Sequence, residues 1–220
     1  MNILVTGASG GIGRPVCERF LAAGHCVFGL DLLPSPLAHD CYAHHQADVT
    51  RPETFPALPP VEILVNNAGV QNADDIGVNL VGAMKVTEHY LSPSIRSVLN
   101  VASVAAHNGA EFPAYTASKG GLVAYTRNLA IRLARYGATC NSISPGGVRT
   151  RLNAPVMDDP AAWGEIMALT PLKKWATPQE IAEWVYFLTV VNQSATGIDV
   201  VIDNGESTAS ARFIWPSPSP

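Results

Sequence analysis

No apolar run in this chain approaches the roughly 20 residues needed to cross a bilayer, and the longest runs are bounded by Gly or Pro, as buried strands are. No charged segment, apolar h-region or cleavage site stands ahead of the first apolar stretch, so a soluble, cytoplasmic protein with no membrane partner is expected. Basic clusters are also missing. With 14 Lys and Arg against 18 Asp and Glu, the net charge of -4 offers none of the concentrated cation that a phosphate backbone requires, which argues against nucleic acid as a main partner. The four cysteines, Cys17, Cys26, Cys41 and Cys140, form no CxxC pair. Two fall on expected core elements, as small buried hydrophobes of a reducing compartment do, and no metal site is expected. What the chain has in quantity is apolar residues, 47% of its 220, enough for the full core of one domain.

The stretch Asn2-Ile3-Leu4-Val5 runs directly into Thr6-Gly7-Ala8-Ser9-Gly10-Gly11-Ile12-Gly13. A buried strand that ends in close glycines and continues as a helix leaves backbone N–H groups unpartnered at the positive end of a helix dipole, where a pyrophosphate fits. Gly7 suits the tight turn, Gly11 the approach of phosphates, and Gly13 the close packing of helix on strand. A plain strand-to-helix turn is the alternative. The next helix carries Ile12, Val16, Phe20 and Leu21 at helical spacing and stops near Gly24, after which Cys26 to Asp31 forms a second strand. Asp31 then falls where an acidic residue accepts hydrogen bonds from the adenosine ribose, and where a phosphate on that ribose would be repelled.

Further along, a loop rich in Pro and His leads to a strand near Tyr42 to Ala47 and to Asp48-Val49-Thr50, where Asp48 either holds an adenine amino group or closes a turn. Pro52, Pro56, Pro59 and Pro60 leave at best a helical stub before the strand Val61 to Val65 and the run Asn66-Asn67-Ala68-Gly69. A helix is expected around Val78 to Leu91, a strand at Ser97 to Ala102, a long helix near Ala114 to Arg135 and a strand at Thr139 to Ile143. A variable segment, about 151–176, precedes a helix starting at the cap signature Thr177-Pro178-Gln179-Glu180, and Ile198 to Ile202 makes the last strand. This alternation predicts one α/β domain over 1–210, a doubly wound parallel sheet. The Pro/Ser-rich tail, 211–220, is either disordered or laid extended on a neighbouring surface.

Tyr115 and Lys119, four apart in a helical stretch, project from one face. A phenol with a pKa of about 10 becomes a workable base when a fixed ammonium stands near it, although such a pair is also the ordinary make-up of a solvated helix face. Ser103 ends a strand at the carboxyl edge of the sheet, placed either to hold a substrate oxygen or to cap a turn.

Taken together, Thr-Gly-x-x-x-Gly-x-Gly from Thr6 to Gly13, Asn66-Asn67-Ala68-Gly69, Ser103, Tyr115-x-x-x-Lys119 and Pro145-Gly146-Gly147-Val148-Arg149-Thr150 resemble a short-chain dehydrogenase/reductase of the classical type, from residue 2 to about residue 205. The resemblance implies a Rossmann-type sheet of about seven strands in the order 3-2-1-4-5-6-7. It implies Tyr115 as the acid/base, Ser103 polarising the carbonyl, Lys119 lowering the tyrosine pKa and holding the nicotinamide ribose, and Asn79 positioning a water between Lys119 and solvent. The cofactor residues it implies are Gly7, Ser9, Gly10, Gly11, Ile12, Gly13, Asp31, Asp48, Val49, Asn67, Ala68, Gly69, Tyr115, Lys119, Pro145, Gly146, Val148 and Thr150. The implied reaction is hydride transfer between a nicotinamide and a secondary alcohol or ketone. Asp31, followed by Leu32 and Leu33, favours NAD over NADP, and Arg14 is a solvent-facing or phosphate-side cation. A homotetramer or homodimer is implied.

Three features depart from that pattern. Only nine residues separate Gly69 from Asn79, the stretch from Asp48 to Val61 is short, and Asp203-Asn204-Gly205 replaces Asp-Gly-Gly, with Asn able to take the left-handed backbone. Met157, Trp163, Met167, Leu169 and Trp175 suggest a moderately apolar alcohol, or mere packing, and His107, Asn108 and Glu111 are pocket candidates. The rival functions are an NADPH-dependent 3-oxoacyl-thioester reductase and a catalytically silent nucleotide-binding regulator.

Overall fold

A computed structural model describes residues 1–109 and 112–207, so Glu111 and the tail 211–220 lie outside the described residues. Seven parallel strands make one sheet: β1 (Asn2–Thr6), β2 (Cys26–Asp31), β3 (Tyr42–Gln46), β4 (Ile63–Asn66), β5 (Ser97–Val101), β6 (Thr139–Pro145) and β7 (Asp199–Ile202). Their order is β3-β2-β1-β4-β5-β6-β7, the expected one. The chain winds outward from β1 in one direction and from β4 in the other. The seam between them, where Ile3 pairs with Ile63, is therefore the switch point at which open α/β sheets form a crevice.

The helices are α1 (Gly13–Ala22), α2 (Ala83–Tyr90), α3 (Ala105–Asn108), α4 (Pro113–Leu133), α5 (Ala154–Met157), α6 (Pro160–Leu169) and α7 (Pro178–Tyr186). Strand side chains alternate between two faces and each face is covered by helices. Ile3 and Val5 of β1 join a core with Val16 and Phe20 of α1 and Ile181 and Val185 of α7. Leu4 joins the opposite core with Val86 of α2 and Leu122 and Leu129 of α4.

The local signals are realised with small shifts. Gly24 takes φ +78 just past α1, and Thr177 and Glu180 close a reciprocal capping box at the head of α7. β4 starts at Ile63 rather than Val61, because Val61 is packed ahead of the ladder, and the stub after Asp48 is one 3-10 turn, Pro52–Thr54. The helix expected from Val78 begins at Ile76 as a π-helix, Ile76–Gly82, that continues into α2. Asn204 adopts φ +59, the left-handed conformation anticipated for it. Among the described residues no helix is long and apolar enough to cross a membrane.

Candidate active site

The residues singled out from the sequence line the carboxyl ends of the strands. After β1 the chain turns through Gly7 (φ +66) and Gly11 (φ +52) into α1. A methyl group on Gly13 would sit 2.0 Å from the Gly7 carbonyl oxygen, and one on Gly7 2.9 Å from the Ala68 Cα, so packing forbids side chains at both. Gly10 and Gly11 are different: an added Cβ meets nothing within 4 Å, and their backbone faces open space at the head of the helix. Ile12 packs against the core behind them.

The seam under this loop is tied across the switch point. Thr6 Oγ1 accepts the N–H groups of Asn67 and Ala68, each at 3.0 Å, while Asn67 Nδ2 donates to the Thr6 and Gly7 carbonyls at 3.0 and 3.1 Å. Asn67 thus braces the glycine loop with its side chain. At the end of β2, the Asp31 carboxylate accepts the N–H of Ser9 and that of Leu33, each at 2.9 Å, which sets it beside the loop. Arg14 is paired with Glu18 at 2.8 Å and partly exposed, the solvent-facing alternative for that cation. Asp48 Oδ1 accepts both the N–H and the hydroxyl of Thr50 at 2.8 Å, a local turn, and Val49 packs so closely on Gly82 that a Cβ there would lie 2.8 Å from it.

Beyond β6, Pro145 ends the strand, and Gly146 and Gly147 are backed by Asp203 and by the Trp175 ring. Val148 is buried, and its carbonyl accepts from the Thr150 N–H and from Asn153 Nδ2, both at 2.8 Å. Its side chain belongs to the core, which leaves backbone as what it can offer a ligand.

Tyr115 stands at the head of α4, its phenol hydrogen-bonded to the Ser103 side chain. Ser103 Oγ also accepts the Ala105 N–H at 3.2 Å, so the turn-capping and functional readings of this serine hold at once. A hydroxyl has one proton. With Ala105 filling an acceptor position, that proton is free to be donated to the Tyr115 oxygen or to a substrate oxygen. Burial raises the Tyr115 pKa above the usual phenol value and the Ser103 hydrogen bond opposes it, so the group rests as a neutral phenol with a proton to give.

One turn on, Lys119 is 4% exposed and donates to the Val101 carbonyl at 2.8 Å. Its Nζ lies 5.6 Å from the Tyr115 ring centre. Burial pushes its pKa down to about 8, against the pull of Asp75. Asn79 is fully engaged: its Oδ1 accepts the Val70 N–H at 2.7 Å, and its Nδ2 donates to the Val70 carbonyl and to Ser118 Oγ, each at 3.0 Å. Gly69 lies under both tips, since a Cβ there would be 3.2 Å from Asn79 Oδ1 and 3.4 Å from Lys119 Nζ.

Several contacts in and around the site, as distinct from the residues that make them, carried no signal in the linear pattern. Asn66 Nδ2 donates to Thr87 Oγ1 and to Asn100 Oδ1, each at 2.9 Å, and Asn100 Nδ2 donates to Thr126 Oγ1 at 2.8 Å, a buried polar chain from α2 through β4 and β5 to α4. His107, a pocket candidate from the sequence, instead turns toward β6 and β7, its Nε2 2.8 Å from Asp199 Oδ2 and 3.2 Å from Ser144 Oγ. The segment 151–176 is folded into α5 and α6, with Trp163 edge-on to buried Trp175 at 5.1 Å, so that Trp175 serves packing. Asp75, which no spacing pointed to, is buried at the start of the π-helix.

Residues 7–207 match the family described as Enoyl-(Acyl carrier protein) reductase. An uncharacterized short-chain type dehydrogenase/reductase of Sinorhizobium fredii is 35% identical over 92% of the chain, which spans 43% of that longer relative. The 2-(R)-hydroxypropyl-CoM dehydrogenase of Xanthobacter autotrophicus is 30% identical, with 89% of this chain and 96% of the relative covered. Among solved structures, 4-hydroxyisoleucine dehydrogenase complexed with NADH superposes with a TM-score of 0.84 at 26% identity, covering 95% of this chain and 99% of that one. The ligand-free aldohexose dehydrogenase of Thermoplasma acidophilum gives 0.85 at 28% identity, covering 99% and 97%. The chain belongs to the short-chain dehydrogenase/reductase family. As such it is an NAD(P)-dependent oxidoreductase.

Proposed function

We propose that this chain moves hydride between NAD and a secondary alcohol or ketone, with Tyr115 as the proton-transferring group. The observation that carries the reading is the meeting of the Tyr115 phenol with Ser103 while Lys119 lies buried one turn along the same helix. The dinucleotide fits the crevice. Gly10 and Gly11 present backbone to open space at a helix N-terminus, Asp31 is set beside the loop by the Ser9 N–H, which suits a ribose partner, and Gly69 leaves the floor beneath Lys119 free of a side chain.

The nicotinamide, when bound, supplies or accepts the hydride. In reduction, Tyr115 gives its hydroxyl proton to the carbonyl oxygen of the substrate, and in oxidation the phenolate takes the proton of the alcohol. Ser103 donates its free proton to the same substrate oxygen, holding it where charge develops. Lys119, as an ammonium, stabilises the phenolate left after proton donation and is placed to bond the ribose. Asn79 fixes the loop after β4 to α4 through Val70 and Ser118, which keeps Gly69 and Lys119 in register. Among the cofactor residues, Asn67 supports the loop from below. Asp48 and Val49 follow β3, and Pro145 ends β6 with Gly146, Val148 and Thr150 after it, the position proposed for their contact with the dinucleotide.

The preference for NAD is supported by the Asp31 carboxylate and by the commitment of Arg14 to Glu18, which leave a ribose phosphate facing an anion. A substrate with an apolar body suits the half-buried Met157, Trp163 and Met167 of the segment over the strand ends. Two or four copies are proposed to assemble, because Ile76, Val81, Met84 and Ile131 stand exposed on α2, α4 and the π-helix before α2.

Replacing Tyr115 by Phe keeps the ring and removes the proton. Turnover on a responsive alcohol is expected to fall by roughly 10²- to 10⁴-fold while NADH binding, read by its fluorescence, stays nearly unchanged. An unaltered rate would assign the proton transfer to another group.

A further inference from the structure

The segment between β4 and α2 is short, and two adjacent acids, Asp74 and Asp75, stand at the start of the π-helix. They divide. Asp74 is exposed, and its Oδ1 accepts the Gly77 N–H at 3.0 Å, an ordinary local cap. Asp75 turns inward: it is 3% exposed, and its Oδ1 is buried with no hydrogen-bond partner. Burying a carboxylate oxygen without a partner is costly, so a compensating charge is required nearby.

The backbone narrows the choice of partner. Asp75 lies four residues before Asn79 in a continuously helical stretch, so the two project toward the same side, and Asn79 Oδ1 and Lys119 Nζ both reach the spot above Gly69. The charged and titratable groups that face Lys119 among the described residues are Tyr115 from its own helix and Asp75 from the π-helical segment, while β5 contributes the Val101 carbonyl. Lys119 donates to the Val101 carbonyl and makes no direct ion pair with Asp75 among the described residues, so any influence between the two charges acts across the buried space between them.

We propose that Asp75 is a positioning residue of the active site, its buried carboxylate acting through space, without a direct ion pair, as the counter-charge that favours the Lys119 ammonium near Tyr115. Burial depresses Lys119 to about 8 even with Asp75 opposing that fall. The same negative charge adds to the burial that raises the Tyr115 phenol. Asp75 therefore acts on both members of the pair in the same direction, keeping the protonated forms of each and extending the pH range in which a proton is available for donation. The consequence for turnover rests on the dehydrogenase reading above; the state of Lys119 does not.

The chain has four lysines, Lys85, Lys119, Lys173 and Lys174, so lysine labelled with ¹³C at Cε gives few signals, and Lys119→Met assigns the one that matters. In the native chain that signal is expected to titrate near 8. In Asp75→Asn its midpoint is expected to fall by roughly one pH unit, and the alkaline limb of the turnover profile to move with it. An unmoved Lys119 midpoint in a folded Asp75→Asn chain overturns the proposal, even if the variant is less stable. Should that variant not fold, ¹³Cγ-labelled aspartate in the native chain decides. One carboxyl signal is expected to show an inflection at the Lys119 midpoint that vanishes in Lys119→Met, and no such signal overturns the proposal. Because the lysine signal is read without substrate, an alcohol panel that shows no turnover would sink the dehydrogenase reading while leaving this test standing.

Discussion

On the proposed reading, a single residue, Asp31, sets which nucleotide the crevice prefers. Both Asp31 oxygens are already held by backbone N–H groups, which aims the carboxylate rather than consuming it, since each oxygen has a second lone pair for a ribose hydroxyl. Asp31→Ala is expected to weaken NADH by roughly 10- to 100-fold, the loss of charge-assisted hydrogen bonds, and to tighten NADPH by relieving repulsion. Fluorescence titration of the two nucleotides checks this, and an unchanged NADH-to-NADPH ratio would remove Asp31 from that role. At this scale the linear pattern was most legible where chemistry follows local spacing. Tyr115 and Lys119 are one turn apart on α4, and Gly7 and Gly13 meet within one loop. Asp75 was not legible, because an aspartate in a polar stretch looks solvated until the fold shows it 3% exposed.

Elements carry the next layer, and here two kinds of information separate. The capping box of α7 involves Thr177 and Glu180, three residues apart, and was visible as a sequence signature. Thr177→Ala is expected to cost about 1 kcal/mol in urea unfolding, with activity retained, because α7 packs on α1 away from the tyrosine and lysine. By contrast, the Asn66–Asn100 bond joins β4 to β5, and His107 pairs with Asp199 of β7. Such contacts join residues that only the sheet makes neighbours, so no periodicity announces them. The π-helix was also missed. Apolar spacing identifies a helix there, but not the extra residue per turn that sets Asn79 against Val70 and Ser118.

For the molecule as a whole, the alternation of strand and helix signals made the parallel α/β class readable, whereas the order of the strands came from the family resemblance, since β2 and β3 are joined without a helix. Copy number is a different matter, since it depends on which apolar side chains remain uncovered. Ile131, at 79% exposure on the outer face of α4, is the extreme case. Light scattering is expected to give two or four times the 23.3 kDa chain mass, and Ile131→Glu to lower it; a monomer would mean that this face is simply solvated.

The seam between β1 and β4 carries one more implication. Ile3 pairs with Val27 on one side and with Ile63 on the other, so bringing β4 alongside closes a much longer stretch of chain. Loop-closure entropy makes that second pairing about 0.8 kcal/mol more expensive before any contact rewards it. The kinetic burden of reaching the native state thus falls on the very junction proposed to receive the dinucleotide, and the hydroxyl of Thr6, gripping two amides from across it, is part of what repays that delay.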